Sequence, residues 1–284
     1  MTKAWWLAAA VGAAVASPKL ASAAVYDLHL AGVCSQSWTD GKGSAAIGAW
    51  ANETSVDVKI DLRGSISQAA ANLAGYLDQY CGDGNLCHVY AYSAGEAVLG
   101  YLLANTTSTW NLAAVYVGGG AAGGSRLAGD IAAALTCSLA SQLTESGVRA
   151  AYNHNVTGGV TMYRLGGRDE LAETAAACVA GTILKWITFG FVNDHCLQGK
   201  NDGVVEYHSS AAYSTAGVYA DFWDSGSHWG SGYQRSYVTP SAADEGRPLN
   251  HYEIKVLPLC LEGGIAGVSG LDACVTWADS THWQ

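Results

Sequence analysis

No run of basic residues occurs anywhere in this chain. Its 14 lysines and arginines are scattered among 24 aspartates and glutamates, giving a formal charge of −10 over 284 residues. A surface of that sign repels phosphate backbones, so nucleic acid is not an expected partner. The N-terminus also lacks an apolar run long enough to span a bilayer. The segment that follows Lys3 stops at Ser17-Pro18-Lys19, short of the roughly 20 residues a membrane helix needs. A lysine, a short apolar stretch and small-residue sites at Ala16 and Ala23 are instead the pattern of a secretory signal peptide, expected over residues 1–23. Its removal takes Lys3 and Lys19 and brings the formal charge to −12. Absent too are C-x-x-C and H-x-x-x-H spacings, so a local zinc motif is not expected, and no internal repeat is visible. With 50% of the chain apolar, residues 24–284 are expected to form a single domain, secreted or otherwise extracytoplasmic.

All eight cysteines lie beyond residue 23: Cys34, Cys81, Cys87, Cys137, Cys178, Cys196, Cys260 and Cys274. An even number in an exported chain favours disulfides. Cys81 with Cys87 and Cys260 with Cys274 would each close a short loop containing glycine, and Cys137 with Cys178 would brace a helical insertion. Spacing alone leaves the connectivity open. Asn52, Asn105 and Asn155 stand in N-x-S/T sequons, which matter in a cell that glycosylates.

Along the chain, "VYDLHLAGV" (Val25 to Val33) reads as a buried strand ending in a glycine turn, and "SVDVKIDLRG" (Ser55 to Gly64) alternates as a strand does. "SISQAAANLAGYLDQY" has helical spacing behind a serine cap. "LCHVYAY" then "GEAVLGYLLAN" is strand followed by helix, and "NLAAVYVGGG" and "GVTMYRLGG" are further strands. Strands alternating with helices imply an α/β fold with a mainly parallel sheet flanked by helices. Ligands of such sheets sit beyond the carboxyl ends of the strands, so the loops after Leu30, Tyr92 and Val117 should share one rim. The alanine-rich segment 126–192 is expected to be a largely helical insertion or cap. Lys185 near the middle of its apolar tail argues for a core or cap helix rather than a membrane span.

Ser93 falls at the strand-to-helix corner of Ala91-Tyr92-Ser93-Ala94-Gly95. A nucleophile at such a corner is held on a tight turn with its hydroxyl above the sheet, and small residues two before and two after let the turn close. The helix N-terminus adds positive potential, and the Ala94 N–H can face a developing oxyanion. An ordinary helix cap is the competing reading of such a serine. A nucleophilic serine needs a base, and the base an orienting acid. Downstream stand Asp202 in Asn201-Asp202-Gly203-Val204-Val205 and His251 after Asn250, so the order is serine, acid, histidine. Rival bases are His208, His228 and His282, and rival acids are Asp169 and Asp194. His29 and His88 fall in strands and read as core histidines.

These three motifs, A-Y-S-A-G, N-D-G-V-V and N-H-Y-E, resemble the nucleophile, acid and base motifs of the secreted bacterial lipases and esterases of the α/β-hydrolase fold, the true-lipase group in particular. "VYVGGGAAGGS" is similar to the strand and glycine-serine turn that follow the nucleophile helix in that group. The resemblance implies an ester hydrolase with Ser93 as nucleophile, His251 as base and Asp202 as acid. The loop after the first strand departs from the pattern: it reads histidine-glycine in those lipases and Ala31-Gly32-Val33-Cys34 here. The Val33 N–H can still supply the second oxyanion donor beside Ala94. No organic cofactor or catalytic metal is implied. Those lipases often hold a structural calcium near the acid and base loops, but no dense carboxylate set stands here for one.

The chain has 10 tryptophans and 15 tyrosines. Trp38, Tyr92, Trp223 and Trp229 are candidates to line a hydrophobic cleft, which would suit acyl chains, lipid at an interface or aromatic polyester, with core and surface packing as the competing explanation of most of these aromatics. A thioesterase or acyltransferase would use the same triad. A non-catalytic exported binding protein on a hydrolase scaffold is the reading from a different class.

Overall fold

The computed structural model describes residues 23–35, 53–107, 109–154, 156–165, 197, 202–210, 214–215, 218–219 and 251. Five parallel strands form one sheet: β1 (Val25–Leu30), β2 (Thr54–Asp57), β3 (Leu86–Tyr92), β4 (Leu112–Gly118) and β5 (Met162–Leu165), in the order β2-β1-β3-β4-β5. Parallel neighbours need crossover connections. Those from β2 to β3, from β3 to β4 and from β4 to β5 run through α1 (Ile66–Tyr80), α2 (Ala94–Asn105) and a group of three helices, α3 (Ala128–Leu135), α4 (Ser138–Gln142) and α5 (Glu145–Ala151). A single turn, α6 (Tyr207–Ser210), follows the acid motif, and β6 (Ser214–Thr215) pairs antiparallel with β7 (Val218–Tyr219). The architecture is α/β, as the alternation of elements predicts. Among the described residues no helix is long and apolar enough to cross a membrane.

Local chemistry sets the elements. Ser65 starts α1 by accepting the Gln68 N–H at 3.1 Å, and Ala69, Leu73 and Leu77, four residues apart, form its buried stripe. Truncating Leu73, which is fully buried, would cost about 2–5 kcal/mol. At the end of α1, Cys81 is bonded to Cys87 on β3, the short-loop disulfide expected from spacing.

One expected strand is shorter than its alternation suggested. Regular pairing covers only Thr54–Asp57, yet Val58, Ile60 and Leu62 remain buried. Val58 N–H still donates to the His29 carbonyl of β1 at 3.0 Å, but further on Leu62 N–H donates to the Ser35 carbonyl at 2.8 Å, and Cys34 N–H donates to the Leu62 carbonyl at 3.0 Å. The period of two recorded which side chains face inward, and the loop after β1 took the place of a ladder partner.

The two faces of the sheet differ in chemistry. Register pairs Leu28 with Val89 and Leu30 with Ala91, and these with Val115 and Val117, giving an aliphatic face against which α2 packs through Gly95. A Cβ built on Gly95 would lie 3.0 Å from that of Leu30. The opposite face carries Asp27 beside His88 and His29 beside Tyr90. The His29 and Tyr90 rings stack at 5.1 Å, and Tyr90 and Tyr116 at 5.3 Å.

Candidate active site

Ser93 sits between the last residue of β3 and the first of α2 with φ 53° and ψ −122°. A non-glycine residue there is strained, by about 1–3 kcal/mol. The turn is held by its neighbours: Ser93 N–H donates to the Gly118 carbonyl at 3.1 Å, and the Ser93 carbonyl accepts from Ala121 N–H at 3.1 Å. Although Ser93 precedes a helix, its hydroxyl makes no capping bond, unlike Ser65 and Thr144, whose side chains accept from Gln68 and Gly147. The small residue at the fifth motif position has a different cause from the one expected. A Cβ on Gly95 would come within 2.9 Å of the Ala31 carbonyl oxygen, so glycine is required by the approach of α2 to the end of β1.

The freed hydroxyl faces histidine. His251 Nε2 lies 3.1 Å from Ser93 Oγ, and His251 Nδ1 lies 2.7 Å from Asp202 Oδ2. All three residues are buried. Asp202 Oδ1 accepts the N–H groups of Val204 (3.0 Å) and Val205 (2.8 Å), in a turn that passes through Gly203 at φ 92°. A carboxylate so occupied is an acceptor, so Nδ1 carries the imidazole proton and Nε2 is left to accept from serine. The histidine is itself held: its N–H donates to the Asp202 carbonyl at 2.7 Å, and Tyr92 Oη donates to its carbonyl at 3.2 Å with the two rings 4.9 Å apart. Such a chain can withdraw a proton from Ser93 as its oxygen attacks an electrophile.

The loop after β1 passes directly beside the serine. A Cβ on Gly32 would meet the Tyr92 ring at 2.9 Å and the Ser93 Cβ at 3.3 Å, so the chain between Ala31 and Val33 fits only without a side chain there. Val33 and Ser93 border a cavity of about 20 Å³ whose other walls include Ala121, Ala128, Ile131 and Leu143. Cys34, at φ 63°, is bonded to Cys137, which fastens this loop to the start of α4. The expected partner of Cys137 was Cys178. Pairing across 103 residues is a tertiary fact that loop length does not announce. Cys178, Cys196, Cys260 and Cys274 lie outside the described residues.

Two buried acids, one of them paired with a buried arginine, have no counterpart among the residues singled out from the sequence. Glu96, three residues after Ser93 and fully buried, pairs with Arg164 of β5, and its Oε2 accepts the Ala122 N–H at 3.3 Å. Burial pushes the Glu96 carboxyl up, and the Arg164 guanidinium and the Ala122 N–H oppose the rise. Gly120 makes room for this carboxylate, since a Cβ there would overlap it. The available signal was a lone acid in "GEAVLGYLLAN" and a lone base in "VTMYRLGG". Glu206, four residues past Asp202, is also fully buried, and burial raises its carboxyl to about 7. Arg126 Nε stands 3.8 Å from it. Ser125 Oγ donates to the Val204 carbonyl at 2.5 Å and Gly123 N–H to the Ser209 carbonyl at 3.1 Å, so the glycine-serine loop after β4 props the acid loop.

The structure thus brings Ser93, His251, Asp202, Val33, Ala94 and Tyr92 to one rim. Trp38, Trp223 and Trp229, and the rivals His228, His282, Asp169 and Asp194, lie outside the described residues. No family model and no curated protein matches the chain. Solved structures similar to it include a metagenomic carboxyl esterase, with 17% identity and TM-score 0.46 over 71% of this chain and 65% of that one. A lipase of Bacillus licheniformis in mature form gives 19% identity and TM-score 0.41 over 68% of this chain and 81% of that one. Phospholipase PlaB from Legionella pneumophila gives 12% identity and TM-score 0.44 over 66% of this chain and 45% of that one. The chain spans less than two thirds of the length of the first and third of these.

Proposed function

We propose that this chain is an exported serine hydrolase of carboxylic esters, with residues 24–284 forming an α/β-hydrolase domain. The observation that carries the reading is the strained Ser93, whose hydroxyl forgoes a helix cap and meets His251 Nε2 at 3.1 Å. His251 takes the Ser93 proton as Oγ adds to the ester carbonyl, and Asp202 holds the imidazole and stabilises its charged form. The N–H of Ala94, among the first donors of α2 and so without an intrahelical acceptor, and that of Val33 receive the oxyanion. The imidazolium then returns its proton to the departing alkoxide, and water repeats the cycle on the acyl-enzyme. The two disulfides among the described cysteines support an oxidising compartment.

The cavity beside Ser93, about 20 Å³, holds little more than one small group. It favours short acyl chains over the long-chain lipid or polyester that an aromatic cleft would suit. Release of p-nitrophenol from acetate, butyrate and octanoate esters, compared with the Ser93→Ala variant, tests both parts. Turnover that vanishes in the variant supports the hydrolase. A folded wild type no faster than the variant on every ester would favour a binding protein instead.

A further inference from the structure

A second cluster of ligating side chains lies on the polar face of the sheet, away from the serine. Asp27, midway along β1, is in register with His88 of β3 and Ser55 of β2, and Glu53 precedes β2 by one residue. In-register residues of parallel strands point to the same side, as do residues two apart on one strand, so Asp27, His88 and Glu53 converge. His88 is five residues before Ser93, roughly 16 Å along the strand direction.

The spacing within this cluster is informative. His88 Nδ1 is 3.4 Å from Asp27 Oδ1 and 3.8 Å from Glu53 Oε2, and one donor atom from each residue lies within 4.8 Å of the other two. Both distances exceed the range of an N–H···O bond. They match donors that share an ion: two atoms each about 2.1 Å from a tetrahedral metal stand about 3.4 Å apart, and further apart as the angle opens. Asp27 adds an independent sign. It is 0% exposed, and among the described residues neither of its carboxylate oxygens accepts a hydrogen bond. A buried carboxylate without hydrogen bonds calls for a cation.

We infer that Asp27, Glu53 and His88 form a binding site for a divalent transition-metal ion, zinc in the first instance. Two carboxylates and a neutral imidazole balance the charge of such an ion, and the mixed nitrogen and oxygen set favours zinc over calcium or magnesium, which prefer oxygen alone. The three ligands come from three strand segments, so no short motif announces them. A metal there fastens the start of β2 to β1 and β3, giving it a structural role distant from Ser93. The inference stands or falls separately from ester hydrolysis.

The test uses the purified protein, stripped with EDTA and passed through a desalting column. It is titrated with zinc sulfate, followed by metal analysis after gel filtration and by thermal melts with and without the ion. The expected result is one retained equivalent and a Tm higher by several degrees, with neither produced by magnesium or calcium. His88→Gln and Asp27→Asn should lose both the equivalent and the shift. Glu53→Gln, at the half-buried margin of the cluster, keeps the test informative if the two strand variants fold poorly, and should weaken retention at least tenfold. Wild type that retains no zinc, or a Glu53→Gln protein that retains the full equivalent with an unchanged Tm shift, would overturn the site and leave a buried aspartate–histidine pair.

Discussion

His251 and Ser93, 158 residues apart in sequence, face each other at 3.1 Å through Nε2 and Oγ. The contact depends on the turn at Asp202, because the His251 backbone and ring are both bonded to that residue. If the three act as one unit, Ser93→Ala and His251→Ala should each reduce kcat on p-nitrophenyl acetate by about 10⁴-fold or more, and the double variant should lose little beyond either. Asp202→Asn should cost about 10³–10⁴-fold by disturbing the imidazole tautomer. Additive losses in the double variant would show that the residues do not work together.

The backbone at Ser93 gives a prediction of opposite sign for stability. At φ 53° and ψ −122° a side chain is strained and glycine is at ease. Ser93→Gly should therefore be inactive yet more stable than Ser93→Ala by about 1 kcal/mol or more, read as the difference in urea midpoint at equal m. Equal midpoints would mean that the turn stores no strain.

Much of this site was legible because each part has a local signature. A serine between an apolar strand and an apolar helix, an aspartate before glycine and two valines, and a histidine after asparagine each carry their own context, and the serine–acid–histidine order joins them. What escaped depends on approach in three dimensions. The reason for Gly95 lies in the carbonyl of Ala31, the partner of Cys137 lies on the loop after β1, and Arg164 meets Glu96 only once β5 lies beside β4. The alternation through Val58, Ile60 and Leu62 correctly marked the buried face and misled about pairing at Leu62, which bonds to the loop after β1, because side-chain period reports burial and says nothing of the backbone partner.

The Cys34–Cys137 bridge should matter to activity as well as to stability. It closes a far longer loop than Cys81–Cys87, with separations of 103 and 6 residues. Chain entropy then assigns about 4–5 kcal/mol to the first and about 2 kcal/mol to the second. Replacing both Cys34 and Cys137 by serine should lower the Tm more than the same change at Cys81 and Cys87. It alone should also reduce kcat, by about tenfold, since the freed loop carries Val33. Equal kcat in the two double variants would show that the bridge does not act on turnover through the loop that carries Val33.

Two buried groups give opposing pH dependences. Burial lowers the His29 imidazole from 6.5 to about 4, so the unfolded chain binds the extra proton between those values. Its contribution to stability is present above about pH 6.5 and is lost as pH falls towards 4. Glu206 is raised from 4.5 to about 7, so the native state holds the extra proton. Its contribution is present below about pH 4.5 and is lost as pH rises through 7. In wild type the two slopes largely cancel. Glu206→Gln should be more stable than wild type at pH 8 by about 1–3 kcal/mol and nearly equal to it at pH 4, measured by denaturant unfolding. A gain of the same size at both pH values would mean that Glu206 does not titrate in this window.

The wall of the cavity beside Ser93 offers the last test, through its two largest side chains. Ala121, Ala128 and Ala140 contribute little bulk, whereas Ile131 and Leu143 from the helical insertion narrow the space to about 20 Å³. If the acyl group enters there, wild type should prefer acetate over octanoate. Ile131→Ala, at a half-buried position, should then shift the ratio of kcat/KM towards octanoate by about 10-fold or more, since one or two methylenes in an apolar pocket are worth roughly 1–3 kcal/mol. Leu143 is more deeply buried, so Leu143→Ala should shift the ratio the same way at a greater cost in Tm. A profile unchanged in both variants would place the acyl chain elsewhere along the rim while leaving the roles of Ser93, His251 and Asp202 intact, because their geometry does not depend on which wall receives the chain.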